Sequence, residues 1–167
     1  ALAELLDRRR PDGELACGVP LWLHLALEEL LLLDEDDFAR AASYAGTAEE
    51  QLVAMLVDTA RGLPPDVAGL YGAFLDRTEQ AYGQSWARAF TELLATSRHG
   101  LRESDLQVLL PELSGETWDE LRFATLRRGF RAHLVERGVP ARWDFFHAQM
   151  REAVGRRGLA EGEHAKR

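Results

Sequence analysis

HLVERGVPARWDFFHAQMREAV, residues 133–154, reads as two short strands folded around a Gly-x-Pro turn and followed by a helix. Working back from it, LRESDLQVLLP is a short helix, and Thr117 with Glu120 forms a capping box that starts WDELRFATLRRGF. Before these, Ser85 is placed to cap WARAFTELLATSRHG, which stops at Gly100. The order is therefore helix, helix, helix, hairpin, helix, with the first three at Trp86–Ser97, Glu103–Leu110 and Thr117–Phe130. An all-helical core closed by one small hairpin is the plan of a winged-helix domain. The last helix, Ala148–Arg156, carries His147 at its N-terminal edge.

Further upstream the apolar residues recur at three and four, again the period of helices. A first helix is expected over Ala1–Arg9, followed by the turn-forming connector RPDGELACG. Pro20 opens a second helix at the position where its missing N–H costs nothing, and this helix runs to about Leu33. LDEDDFARAASYAG gives a short helix with acids at its positive end. The TAEE box at Thr47 starts another that stops at Gly62, and LPPDVAGLYGAFLDRTEQAYG places Leu70, Phe74 and Leu75 on a core face before Gly83 ends it. The expected class is mainly α: a helical arm followed by a winged-helix domain with one small β-hairpin. The expected division is residues 1–46, connecting helices over 47–84, the winged helix over 85–157 and a polar tail over 158–167.

Composition narrows the function. With 167 residues, 46% of them apolar, the chain can bury one respectable core or two small ones. The longest apolar run, Leu21 to Leu33, is interrupted by His24, Glu28 and Glu29 and is too short for a membrane span. A single cysteine, Cys17, excludes an internal disulfide and suits a reducing, cytoplasmic setting. The net charge of −8 argues against a nucleic-acid partner, although Arg8–Arg10, Arg127, Arg128 and Arg131, and Arg156 with Arg157 are local basic clusters. Nineteen of the 20 basic residues are arginine, a usage that suits a GC-rich genome; the one lysine is Lys166, in the polar tail. A GxxxxGK[ST] phosphate loop, which needs its lysine on the phosphates, is therefore absent from this sequence. Neither HExxH nor GxSxG occurs, and no pair of histidines stands at i and i+4, so no catalytic or metal set is assigned. The acids Asp34–Asp37 are read as a helix start, and Trp22, Trp86, Trp118 and Trp143 as core anchors. His147 has two readings: a cap or partner of Glu152 on its own helix, or a contact to an arriving ligand.

Three segments, GVPLWLHLALEEL (18–30), SRHGLRESDLQVLLPEL (97–113) and RWDFFHAQMREAV (142–154), resemble the helical and winged-helix region that follows the nucleotide-binding core of STAND-type P-loop ATPases. The closest subgroup is the NACHT type, in nephrocystin-like and bacterial proteins with tetratricopeptide or WD repeats downstream. The resemblance spans about Ala1 to Arg157. It implies that the chain is a piece of a longer ATPase, that ADP or ATP is held by the parent protein alone, and that this piece has no enzymatic activity of its own. It also implies three nucleotide-facing residues: Gly18 and Pro20 by the adenine, and His147 at the β-phosphate. The implied partners are the nucleotide-binding domain of the same chain, a downstream repeat sensor domain, and further copies in an activated homo-oligomer. Phe146 stands where some relatives have methionine, and Ala148 where the NB-ARC branch has aspartate. The alternatives from other classes are a winged-helix DNA-binding regulator reading the major groove with Thr117–Phe130, and a helical interaction scaffold with no nucleotide link.

Overall fold

A computed structural model describes residues 1–32 and 35–164. Among these the chain is mainly helical, with one two-stranded antiparallel hairpin near its C-terminus. It divides into two compact units, Ala1–Leu70 and Tyr71–Arg167.

The first unit holds α1 (Leu2–Leu6), a 3-10 turn (Ala16–Gly18), α2 (Pro20–Leu31), α3 (Glu35–Ala41) and α4 (Ala48–Gly62), and it ends in the opening turn of α5 (Val67–Tyr82). The expected first helix is cut short at Leu6. Pro11 disfavours helical geometry at Arg10, and the chain instead doubles back: Arg9 bridges Leu15, and Ala16 N–H donates to the Arg8 carbonyl at 2.7 Å. Helix α4 is the element on which α1, α2 and α3 all pack. Its capping box is present as read: the Thr47 hydroxyl accepts from Glu50 N–H, and the Glu50 carboxylate accepts from Thr47 N–H at 2.7 Å. Leu5, Trp22, Leu25 and Met55 fill the core, and the Trp22 indole donates to the Pro64 carbonyl at 2.9 Å, so its one polar atom is satisfied. Helix α2 ends at Leu31 rather than running on. Leu31 and Leu32 are exposed, while Leu33 and Asp34, part of the helix end and acidic run read from sequence, lie outside the described residues.

The second unit carries the rest of α5 and then α6 (Gln84–Thr96), α7 (Glu103–Ser114), α8 (Glu120–Gly129), β1 (Leu134–Arg137), β2 (Arg142–Phe145) and α9 (Ala148–His164). The hairpin register pairs Leu134 with Phe145 and Arg137 with Arg142, and Gly138 takes the left-handed conformation at its turn (φ 75°). Helix α6 is the centre. Trp86, Phe90 and Leu94, one per turn, are fully buried, and α7, α9 and β2 pack on it. Aromatic rings close the core edge to face: Phe74 on Phe130 at 4.9 Å, and Phe90 on Phe130 at 5.3 Å. Phe74 and Leu75 are buried, and so is Leu70 at the end of the first unit.

Several boundaries differ from the sequence reading, each for a local reason. Helix α6 is capped by Gly83, not Ser85. The Arg122 guanidinium lies where a side chain at 83 would go, and the backbone there is left-handed (φ 90°), which leaves Ser85 inside the first turn. Helix α7 does not stop before Pro111 but passes through it to Ser114, and ends where Gly115 adopts φ 72° and donates to the Pro111 carbonyl at 2.9 Å. The Thr117–Glu120 box does not form. Asp119 caps α8 by accepting from Arg122 N–H at 2.9 Å, and the Glu120 carboxylate accepts from the Trp118 indole at 3.0 Å. Helix α9 runs past Arg156 to His164.

A third strand position was not legible from sequence. Leu101, between α6 and α7, pairs with Trp143 of β2 through both backbone bonds, at 3.0 and 2.8 Å. The element order is then helix, bridge, helix, helix, hairpin, helix, the order read from sequence with one strand position added. Gly100 permits it: its φ is 73°, and a Cβ there would lie 2.5 Å from the Trp143 carbonyl oxygen.

Candidate functional site

The end of β2 alternates as a strand should, with Phe145 buried and Phe146 exposed, and Phe146 N–H donates to the His133 carbonyl at 2.8 Å. The next residue, His147, immediately precedes α9, and its carbonyl accepts from Met150 N–H at 3.2 Å. The imidazole is half-buried and meets the Phe146 ring edge to face at 4.6 Å. It is not sunk in hydrocarbon. Ala148 and Gln149, whose N–H groups begin the helix and have no partner within it, are exposed. The edge formed by His147 and this first turn therefore combines an imidazole with the positive end of a long helix, a pairing able to hold an anionic group. Glu152, the alternative partner of His147 on its own helix, lies 3.3 Å from Arg156.

What holds this edge in place is Arg151, one turn along α9. Its Nη1 donates to the carbonyls of Leu94 and Ser97, both at 2.7 Å, and also to that of Ala95, while Nη2 donates to Asp144 Oδ1 at 2.6 Å. These carbonyls end α6, where a helix leaves its last C=O groups unpaired and its dipole negative. One guanidinium thus ties α9 to the end of α6 and to β2. Sequence reasoning passed over it. The available signal was its position four residues after His147, on the adjacent turn of the same helix face.

The other two candidates lie in the first unit. Gly18 closes the 3-10 turn and Pro20 is the first residue of α2; both are exposed. A Cβ at Gly18 would meet nothing within 4 Å, so the packing of the unit itself does not require glycine there. Gly18 and Pro20 share one short surface stretch, whereas His147 belongs to the second unit.

Of the four tryptophans, Trp22 and Trp86 are core anchors as expected, but Trp118 and Trp143 are half-buried. Trp118 lies over Phe123 at 4.8 Å with its N–H turned to Glu120, and Trp143 has the Arg127 guanidinium 5.0 Å from its ring centre. Cys17 is half-buried and its thiol donates to the Leu6 carbonyl at 3.3 Å. Asp37, from the acidic run, pairs with Arg40 at 2.9 Å. Among the described residues no group of three or more His, Cys, Asp or Glu is placed to hold a metal ion, and no helix is long and apolar enough to cross a membrane. No protein-family model, curated protein or solved structure matches the chain.

Proposed function

We propose that the chain is the regulatory helical and winged-helix module of a NACHT-like STAND signalling ATPase, closing on ADP held by a neighbouring nucleotide-binding domain and moving when ATP replaces it. The observation that carries this reading is the placement of His147: half-buried, at the N-terminal edge of a 17-residue helix whose first turns are clamped by Arg151, on the same face. In the parent protein the nucleotide supplies a polyphosphate and an adenine. His147 would donate a hydrogen bond to a phosphate oxygen, reinforced by the helix end. Gly18 and Pro20 would lie by the base, where the lack of a side chain at 18 leaves room for it. These residues fit peripheral contacts only. The chain's one lysine, Lys166, is not part of a phosphate loop, so tight nucleotide binding belongs to the neighbour.

The module is then a two-state element. Contacts made only in the closed form bias it, and a differential of a few kcal/mol between nucleotides suffices to release it for assembly into oligomers, in bacterial signalling or defence. The deciding test is to read the gene upstream of Ala1 and titrate the chain calorimetrically with ADP and ATP. A phosphate loop upstream, together with no micromolar binding by the 167 residues, is expected. A reading frame without that loop, or micromolar ATP binding by this chain alone, defeats the proposal. In the parent protein, His147→Ala is expected to raise self-assembly in ADP, and identical assembly in every nucleotide state would remove His147 from the mechanism.

A further inference from the structure

The acidity that counts against a nucleic-acid partner is not shared between the two units. Residues 1–70 hold 14 acidic and 5 basic side chains, whereas residues 71–167 hold 14 and 15. Within the second unit the positive charge is concentrated further: from Leu121 to Arg142, through α8 and the hairpin, six arginines accompany one carboxylate, Glu136.

Two of the six are committed. Arg122 pairs with Glu116 and donates to the Tyr82 carbonyl, and Arg127 pairs with Glu103 at 2.8 Å. The other four, Arg128, Arg131, Arg137 and Arg142, have no ion pair among the described residues. Arg128 and Arg131 border an open groove of about 400 Å³ between α8 and the hairpin, walled by Ala124, Leu134 and Trp143. Arg137 and Arg142 are direct cross-strand partners at the hairpin tip. Like charges placed opposite each other destabilise a hairpin, and an anion lying between them removes that penalty.

The outward stripe of α8 is equally bare. Phe123 and Leu126 point into the core and leave the outward face of the helix to other side chains. Leu121, Ala124, Thr125 and Arg128 face out at helical spacing; the two central side chains are small enough to let another surface come close to the helix backbone. Two pairs of unpaired arginines on separate elements, flanking a small-residue stripe, call for an extended partner with repeated charge of one sign. A phosphodiester backbone has that form, whereas a single acidic side chain would satisfy one pair alone.

We infer that α8 and the hairpin of the second unit form a sequence-independent contact surface for duplex DNA, bound through its phosphates. This does not rest on the nucleotide reading above and could hold without it. With four uncommitted arginines the log–log dependence of affinity on salt has a slope of about −3 to −4, and the dissociation constant falls in the range typical of nonspecific binding, on the order of 10⁻⁴ to 10⁻⁶ M. The test is fluorescence anisotropy of a labelled random duplex titrated with the 167-residue chain between 20 and 200 mM salt, where these concentrations are roughly those over which counterion release is resolved. Arg128→Gln with Arg131→Gln is expected to weaken binding about tenfold and to reduce the slope by about 2. Arg40→Gln in the first unit leaves both unchanged. The inference is overturned by no binding at 100 μM protein in the lowest salt (about the weak limit of nonspecific affinity), by a slope that the double variant does not alter, or by polyglutamate displacing the duplex at equal charge concentration, which would make the surface a dock for acidic peptides.

Discussion

Replacing Arg151 with methionine keeps the aliphatic stem and removes the charged head, so its effect isolates what the guanidinium does. That head donates to three carbonyls at the end of α6, those of Leu94, Ala95 and Ser97, and to Asp144. Hydrogen bonds from a charged donor contribute about 1.5–3 kcal/mol each when buried, and a cation at a helix C-terminus a further 0.3–1 kcal/mol or so. The side chain is 32% exposed, so water competes for part of this and the carbonyls left behind are partly rehydrated. The net expectation is a loss of about 2–4 kcal/mol, which at a urea m-value of about 1–3 kcal/mol/M moves the midpoint by about 1–2 M. Arg156→Met supplies the comparison. That arginine pairs with Glu152 at 3.3 Å with both side chains more than 60% exposed, and its removal should change stability by less than about 0.5 kcal/mol. Urea unfolding followed by far-UV circular dichroism measures both. If the two variants lose the same small amount, Arg151 is a surface charge, its carbonyl contacts contribute nothing, and the account of how the His147 edge is held is wrong.

Three further outcomes follow from other parts of the structure. Gly100→Ala places a methyl group 2.5 Å from the Trp143 carbonyl at φ 73° and should cost about 2–4 kcal/mol, whereas Gly115→Ala, at φ 72° with open space around it, should cost about 1 kcal/mol; thermal melts that rank them equally would refute the Leu101–Trp143 bridge. Burial pushes the Tyr71 hydroxyl up to about 12, so its contribution is fully present below the ordinary tyrosine value near 10 and is lost as pH rises toward 12, at about 1.4 kcal/mol per pH unit; Tyr71→Phe, which also removes a buried hydroxyl with no hydrogen-bond partner among the described residues, should abolish that alkaline slope in urea titrations at pH 9 to 11, the span of roughly one unit either side of the unperturbed value. Glu50 is held below the usual carboxylate range by hydrogen bonds from the Thr47 backbone and, second, its side chain; its stabilisation is present above the unfolded value and disappears as pH falls through the lowered one, and Thr47→Ala, which removes the hydroxyl but keeps the backbone bond, should lessen that acid-side dependence in far-UV circular dichroism without abolishing it.

What could be read from the sequence is what depends on near neighbours. The Thr47–Glu50 box was legible because both partners lie within one turn and no distant group competes for either. The box expected at Thr117 failed because Asp119, two residues on, offers a stronger acceptor to the same helix start, and Trp118 takes the Glu120 carboxylate. Ser85 lost its capping role to Gly83 because of Arg122, about 40 residues away in the chain, and the strand position at Leu101 exists only once β2 is beside it. Such pairings leave no periodic signal, because a single bridge fixes one residue and not an alternating run.

The same distinction separates His147 from the residue that supports it. That a helix begins after Phe146 could be read from the change in pattern, from an aromatic strand to helical spacing at Met150, Ala153 and Val154, all of which are buried. That its first turn is fixed could not, because the carbonyls Arg151 reaches lie 54 to 57 residues earlier. The consequence bears directly on function. A histidine on a fraying helix end would spread its ring over many positions and contribute little to binding a phosphate, since ordering it would cost much of what the contact gains. Held by Arg151 against the end of α6, the edge is fixed in place by the fold itself. Loosening Arg151 should therefore weaken any anion contact at His147 even where the helix itself survives.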